Sequence, residues 1–144
     1  MHRAAKGYSL LEVVLASSLC ATALVPALAL VRDSMTLADT IDTRHLLLIY
    51  GVAKMEEQLA VAAASWTEST TSGDFAADGH PNLRYTATCS DDPGAGGVAD
   101  RLMNVSVTVY SDDNGNDALD ANEMRTNLTT KIAKMLAYEI KANS

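Results

Sequence analysis

The first third of the chain contains one long apolar run, residues 10–31, which reads LLEVVLASSLCATALVPALALV and carries a single charge, Glu12. As an α-helix, these 22 residues extend about 33 Å, enough to cross a hydrocarbon core about 30 Å thick. Arg3 and Lys6 precede the run. Because basic flanks stay on the cytoplasmic side, the pattern predicts one membrane span, with everything after Val31 outside the cytoplasm.

Glu12 is the unexpected residue of this run. A carboxylate costs roughly 2.5–3.5 kcal/mol at the centre of a membrane helix, though less near an end, so a simple anchor gains nothing from it. A secretory signal peptide cut near Ala27 or Ala29 is a second interpretation. Signal peptides, however, have shorter apolar regions of about 7–15 residues, and these do not begin with Glu. An ionisable residue in such a segment indicates a function and calls for a partner.

The stretch Lys6-Gly7-Tyr8-Ser9-Leu10-Leu11-Glu12 resembles the cleavage signal of type IV pilins and type II secretion pseudopilins. That signal is a basic leader ending in Gly, then an apolar or aromatic residue, Ser or Thr, Leu, an aliphatic residue and Glu. The resemblance covers residues 1–65 and is only architectural beyond them. It implies that prepilin peptidase removes residues 1–7 by cutting between Gly7 and Tyr8, and that Tyr8 becomes N-methylated. It also implies that Glu12 pairs with the N-terminal ammonium of a neighbouring subunit.

The resemblance further implies a structural subunit of a pilus or pseudopilus filament, in the bacterial inner membrane, with a periplasmic or extracellular soluble domain. Its partners would be other subunits, the prepilin peptidase and the inner-membrane assembly platform. Residues 52–60, VAKMEEQLA, resemble the helix end of minor pseudopilins and minor pilins. The alternatives are a membrane-anchored module that recognises an exoprotein, a surface or DNA, and an exported calcium-binding protein with an ordinary signal peptide.

Composition excludes some other functions. The formal net charge is −7, which repels phosphate backbones and disfavours binding of nucleic acid through a basic patch. The sequence contains no GxSxG motif, P-loop or paired catalytic set, so an enzyme is not expected.

A second helical segment is predicted to follow the apolar run. Residues 8–32 form the transmembrane and assembly helix, and residues 33–66 continue it as an amphipathic helix. Apolar residues at three- and four-residue steps, Ile49 and Val52 among them, predict the face that packs on a globular domain. Pro26 lacks an N–H group and is expected to kink or locally melt the helix.

Residues 67–144 are predicted to form a small soluble domain with an antiparallel sheet. Residues 67–82 are polar and rich in Gly, Ser and Thr, which indicates a loop. Alternation of apolar and polar residues predicts strands over Leu83–Cys89, Leu102–Tyr110 and Arg125–Ala133. The predicted fold class is α+β, a pilin-like arrangement in which a long N-terminal helix packs on this sheet.

The segment 112–123, DDNGNDALDANE, matches the spacing of a calcium-binding loop, with oxygen ligands at positions 1, 3, 5, 9 and 12 and a carbonyl at position 7. The predicted Ca²⁺ ligands are Asp112, Asn114, Asn116, Ala118, Asp120 and Glu123. Asp117 stands at position 6, which requires a positive φ that Asp tolerates better than most residues. Leu119, at position 8, is expected to be an apolar anchor. A solvated hairpin loop without metal is the alternative.

Overall fold

The computed structural model describes residues 9–134 and contains one long helix and one sheet. Its elements are helix α1 over Leu10–Ser65 and strands β1 over Ser69–Phe75, β2 over His80–Ser90, β3 over Leu102–Ser111 and β4 over Arg125–Ala133. The four strands pair antiparallel in the order β1-β2-β3-β4. The predicted α+β class, a long N-terminal helix packed on a small antiparallel sheet, is confirmed.

The chain divides into two compact units, one ending at Ile41 and the other beginning at Asp42. In the first unit α1 is continuous through Pro26, so the helix does not melt there, and the kink that was the other expected outcome stays a prediction. One missing backbone hydrogen bond is tolerated because long helical stretches continue on both sides of it. The large apolar side chains of this unit are each more than half exposed, from 85% at Leu10 to 56% at Ile41. This part of α1 is long and apolar enough to cross a membrane.

In the second unit α1 buries a stripe different from the predicted one. The buried positions follow helical steps of four, four, three and four residues and are Leu47, Gly51, Met55, Gln58 and Ala62. Ile49 is 50% and Val52 is 44% exposed, so the predicted packing face is wrong. Hydrophobicity favoured bulkier residues for the packing face, but α1 approaches the sheet closely and needs a small residue there. A Cβ atom on Gly51 would lie 3.1 Å from Leu128 Cδ1.

The inner face of the sheet supplies most of the core. Met103, Val105, Val107 and Val109 are fully buried, as the alternation along β3 predicted. The β3 and β4 predictions are confirmed to within one residue, and β2 is longer than predicted because it begins at His80. The hairpin between β3 and β4 contains the acidic segment, also as predicted.

The prediction of a loop over residues 67–82 is wrong, because β1 forms there. The strand pairs with β2 from Ser69 opposite Cys89 to Asp74 opposite Arg84. Its Ser, Thr and Gly residues are mostly exposed, so β1 lacks the apolar alternation of an interior strand. Hydrogen bonds to β2 hold it, and Phe75 anchors its end against Tyr50, with ring centroids 4.6 Å apart.

Trp66 follows the end of α1 and joins it to the loop between β2 and β3. Its indole Nε1 donates a hydrogen bond to Asp91 Oδ2 at 3.3 Å, and Lys134 Nζ lies 5.3 Å from the ring centroid. Asp91 also accepts a hydrogen bond from the backbone N–H of Asp100 at 2.8 Å. That bond, aided by the one from Trp66, lowers the pKa of the Asp91 carboxyl. The fluorescence of the Trp66 indole is therefore expected to change when this unit unfolds.

Candidate functional site

Glu12 lies in the first turn of α1 and is exposed. Ser9 precedes the helix and caps it: its carbonyl accepts hydrogen bonds from the N–H groups of Glu12 at 2.9 Å and Val13 at 3.2 Å, and its hydroxyl accepts one from Leu11. Within residues 9–134, Glu12 forms no ion pair. The carboxylate therefore projects from an apolar helix with no cation from the described chain beside it. Gly7 and Tyr8, the predicted processing site, lie outside the described residues.

An open groove of about 470 Å³ begins at Glu12 on the surface of α1. Among the described residues, its lining is almost wholly apolar and includes Glu12, Val13, Ala16, Ser17 and Cys20. Small residues at 16, 17 and 20 allow another helix to approach closely, which is how helices pack within membranes. The acidic group thus lies at one end of a surface suited to helix packing.

The acidic loop of residues 112–123 is organised around Asp112, which is buried. Its Oδ1 accepts hydrogen bonds from the backbone N–H groups of Gly115 at 2.7 Å and Asn116 at 3.2 Å. Its Oδ2 accepts one from the N–H of Asp117 at 3.0 Å and one from Arg84 Nε at 2.9 Å. Burial alone would raise the pKa of the Asp112 carboxyl, but these hydrogen bonds outweigh burial and lower it.

Of the other predicted calcium ligands, Asn114 and Asn116 contact Asp120, and Ala118 donates its N–H to Asn116 Oδ1 at 2.8 Å. Asp120 Oδ2 accepts hydrogen bonds from the side-chain amides of Asn114 at 2.6 Å and Asn116 at 3.0 Å. Glu123 is buried and accepts hydrogen bonds from the N–H groups of Asp113 at 3.3 Å and Asp120 at 3.0 Å. These contacts link Asn114 and Asn116 to Asp120, at positions 3, 5 and 9 of the calcium-loop template. Glu123, at position 12, accepts hydrogen bonds from the backbone at positions 2 and 9.

Two details of the loop prediction have opposite outcomes. Asp117 has φ of 63°, so the positive φ predicted at position 6 is confirmed. Leu119 is 39% exposed, so its predicted role as an apolar anchor is wrong. Tyr110, near the end of β3, is buried, and its hydroxyl donates a hydrogen bond to the Asp117 carbonyl of the loop at 3.4 Å.

Arg84 is the residue of this site that the sequence pattern missed. Its guanidinium forms ion pairs with Asp112 and Asp117. The signal was present in the alternation of β2, which places Arg84 on the outer face, opposite Tyr110 at the end of β3. Since the loop follows β3 directly, a long cation in that row reaches the loop's carboxylates.

The chemistry of the loop fits a hard cation. Its side chains offer carboxylate and amide oxygens, the ligands that Ca²⁺ prefers. In the part of the chain that the structure describes, no three His, Cys, Asp or Glu side chains form a metal-binding group. The predicted set therefore depends on Asn114, Asn116 and the Ala118 carbonyl as well. The two amides now direct Nδ2 towards Asp120, and rotation of each would present its oxygen instead.

Comparisons with known proteins found no matching family model, curated protein or solved structure.

Proposed function

We propose that the chain is a structural subunit of a type IV pilus-like or type II secretion pseudopilus filament. Prepilin peptidase would remove residues 1–7, and α1 would anchor the subunit in the inner membrane before assembly. The observation that carries this proposal is Glu12, an exposed carboxylate in the first turn of an exposed apolar helix with no cationic partner in the described chain. A carboxylate in that position is costly unless a cation pairs with it, and the N-terminal ammonium of a neighbouring subunit would supply one.

A second exposed apolar surface supports the same proposal. In the unit that begins at Asp42, α1 carries Leu48, Ile49 and Val52 side by side on a face that does not contact the sheet, each between 44% and 50% exposed. Contiguous apolar surface on a folded domain indicates contact with another protein or a membrane. A subunit whose helix is surrounded by other helices would cover both this surface and the groove at Glu12.

The mature N-terminus tests this proposal. When the full chain is produced together with a prepilin peptidase, mass spectrometry is expected to find a chain that begins with N-methylated Tyr8. A Gly7→Val variant is the matched control and is expected to keep residues 1–7, because the signal that the chain resembles has Gly as the last residue of the leader. A mature chain beginning after Ala27 or Ala29 would show an ordinary signal peptide and overturn the proposal.

The acidic loop is proposed as a calcium site of this subunit. Asp112, Asn114, Asn116, Asp120 and Glu123 would hold the ion through side-chain oxygens, with the Ala118 carbonyl completing the set. Bound Ca²⁺ would neutralise carboxylates that repel one another in a short hairpin loop. The loop would then be most ordered outside the cytoplasm, where free calcium is abundant.

Calcium at about 10 mM is expected to stabilise the protein by about 1.4 kcal/mol, if the dissociation constant is about 1 mM as in weak extracellular modules. The melting temperature should then rise by about 5 °C or more. Asp120→Ala should abolish the rise, and it spares the buried Asp112 and Glu123 that hold the loop backbone. Asp113→Ala is the control, because position 2 is not a ligand position. An equal rise in both variants, or none in the wild type, would exclude calcium binding by this loop.

A further inference from the structure

The two edge strands of the sheet carry opposite charges. On β1 and its flanking residues, 67–79, the charged side chains are Glu68, Asp74 and Asp78, and there is no Lys or Arg. On β4 and its flanking residues, 124–134, they are Arg125, Lys131 and Lys134, and there is no Asp or Glu. Of these six charged side chains, only Lys134 forms an ion pair within the described chain, with Asp100 at 3.0 Å.

The charges also occupy the same rows of the sheet. Asp74 lies opposite Arg84, Arg84 opposite Tyr110, and Tyr110 opposite Arg125, so one row runs from an acid on β1 to a base on β4. A second row starts at Glu68, one residue before the pair of Ser69 with Cys89. Glu68 accepts a hydrogen bond from Ser90 Oγ, and its row continues through Asn104 to Lys131.

We infer that β1 of one subunit pairs with β4 of the next, so that identical copies extend one antiparallel sheet from subunit to subunit. This inference rests on the proposed filament function and names the contact between soluble domains. Moving a copy sideways by four strands keeps the antiparallel alternation, because β1 and β4 run in opposite directions. With no shift along the strands, Asp74 meets Arg125, and Glu68 meets Lys131.

Space and charge both favour this arrangement over its alternatives. Four strands occupy about 19 Å, which leaves room on each sheet for a helix about 10–12 Å in diameter. Symmetric antiparallel pairing of two β4 strands across this segment would place Arg125 opposite Lys131, and pairing of two β1 strands would place Glu68 opposite Asp74. Like charges directly opposite each other destabilise a strand pair, whereas opposite charges stabilise it. The charges on the two edge strands therefore favour the head-to-tail pairing of β1 with β4. Repeating this contact adds further subunits, whereas a symmetric dimer closes on itself.

Cysteine crosslinking in the full chain tests the contact. Thr70 and Thr129 occupy one row and would face each other across the new strand pair, with Cα atoms about 4.5–5.5 Å apart, within disulfide range. A Thr70→Cys, Thr129→Cys variant in a Cys20→Ala, Cys89→Ala background, produced with a prepilin peptidase and an inner-membrane assembly platform and then mildly oxidised, is expected to give a ladder of multimers. Each single cysteine variant is expected to give at most dimers. The pair Thr70→Cys, Asn127→Cys, displaced by two residues, should crosslink poorly.

Charge reversal supplies the second measurement. In the crosslinking variant, Arg125→Glu is expected to lower the multimer yield roughly fivefold, the equivalent of about 1 kcal/mol. Adding Asp74→Arg should restore it, and the recovery shows that the loss does not come from misfolding. An unchanged yield after reversal, or a ladder from a single cysteine variant, would overturn the inference.

Sedimentation and electron microscopy of the same preparations separate this inference from the proposed function. Filaments without a ladder would overturn the β1–β4 contact and leave the filament function standing. If neither filaments nor a ladder form although the chain is processed, the proposed function fails and the contact fails with it.

Discussion

Leu47→Ala is expected to lower the free energy of unfolding by about 2–5 kcal/mol, the usual cost of truncating a buried leucine. Leu47 is fully buried in the cluster formed by α1 and the inner face of the sheet. Truncation removes apolar contacts and leaves a cavity among residues that are themselves fully buried, including Val107 and Val109. The loss is a large part of the stability of a domain of this size.

The neighbouring residue provides the matched control. Leu48 is 47% exposed, so Leu48→Ala is expected to change the unfolding free energy by less than about 0.5 kcal/mol. Denaturant unfolding of the full chain in detergent, followed by the fluorescence of Trp66, the only tryptophan, measures both variants. Equal losses for Leu47→Ala and Leu48→Ala would mean that the buried stripe of α1 has been assigned to the wrong side.

Glu12→Gln is expected to reduce incorporation into filaments by at least a hundredfold while the subunit remains in the membrane. The substitution removes the charge and keeps the size of the side chain. Breaking one half of a desolvated ion pair costs about 3–5 kcal/mol, because the partner's charge is left uncompensated. Insertion of the isolated helix should improve, since an ionised carboxylate no longer enters the apolar layer.

Glu56→Gln is the control for this experiment, because Glu56 is exposed on α1 in the unit that begins at Asp42. It removes the same charge from the same helix at a position outside the apolar run. Fractionation gives the membrane content of each variant, and the amount in sheared, sedimented filaments gives its assembly. Wild-type assembly by Glu12→Gln would show that the carboxylate has no part in subunit contacts.

Of the three strands predicted from alternation, β3 and β4 were predicted to within a residue and β2 begins three residues earlier, whereas β1, which lacks alternation, was not predicted. Along β3 every second residue is buried, so the period of two appears in the sequence. The outer strand β1 buries little besides Phe75, and its Ser, Thr and Gly residues resemble a loop. An edge strand of this kind forms because its backbone pairs with β2, and a composition pattern does not report that pairing.

The acidic loop could be predicted in part for the same reason. The positive φ at Asp117 follows from the local template, and the structure has it. Arg84 lies 28 residues before Asp112 in the chain, and only the pairing of β2 with β3 brings the two side chains together. The loop contacts the sheet through the hydrogen bond from Tyr110 to the Asp117 carbonyl, whereas Leu119 stays 39% exposed.

The sequence by itself determined the features that depend on residues close together in the chain. These are the apolar helix with one carboxylate, the α+β class, the alternating strands and the ligand spacing of the acidic loop. Tertiary structure alone decided which side of α1 is buried, that β1 forms an edge, and that acidic and basic edges occupy the same rows. The physical reason is that close packing and strand register join residues distant in sequence. A small residue such as Gly51 is needed because it allows α1 to lie close to the sheet, and its hydrophobicity does not reveal this requirement.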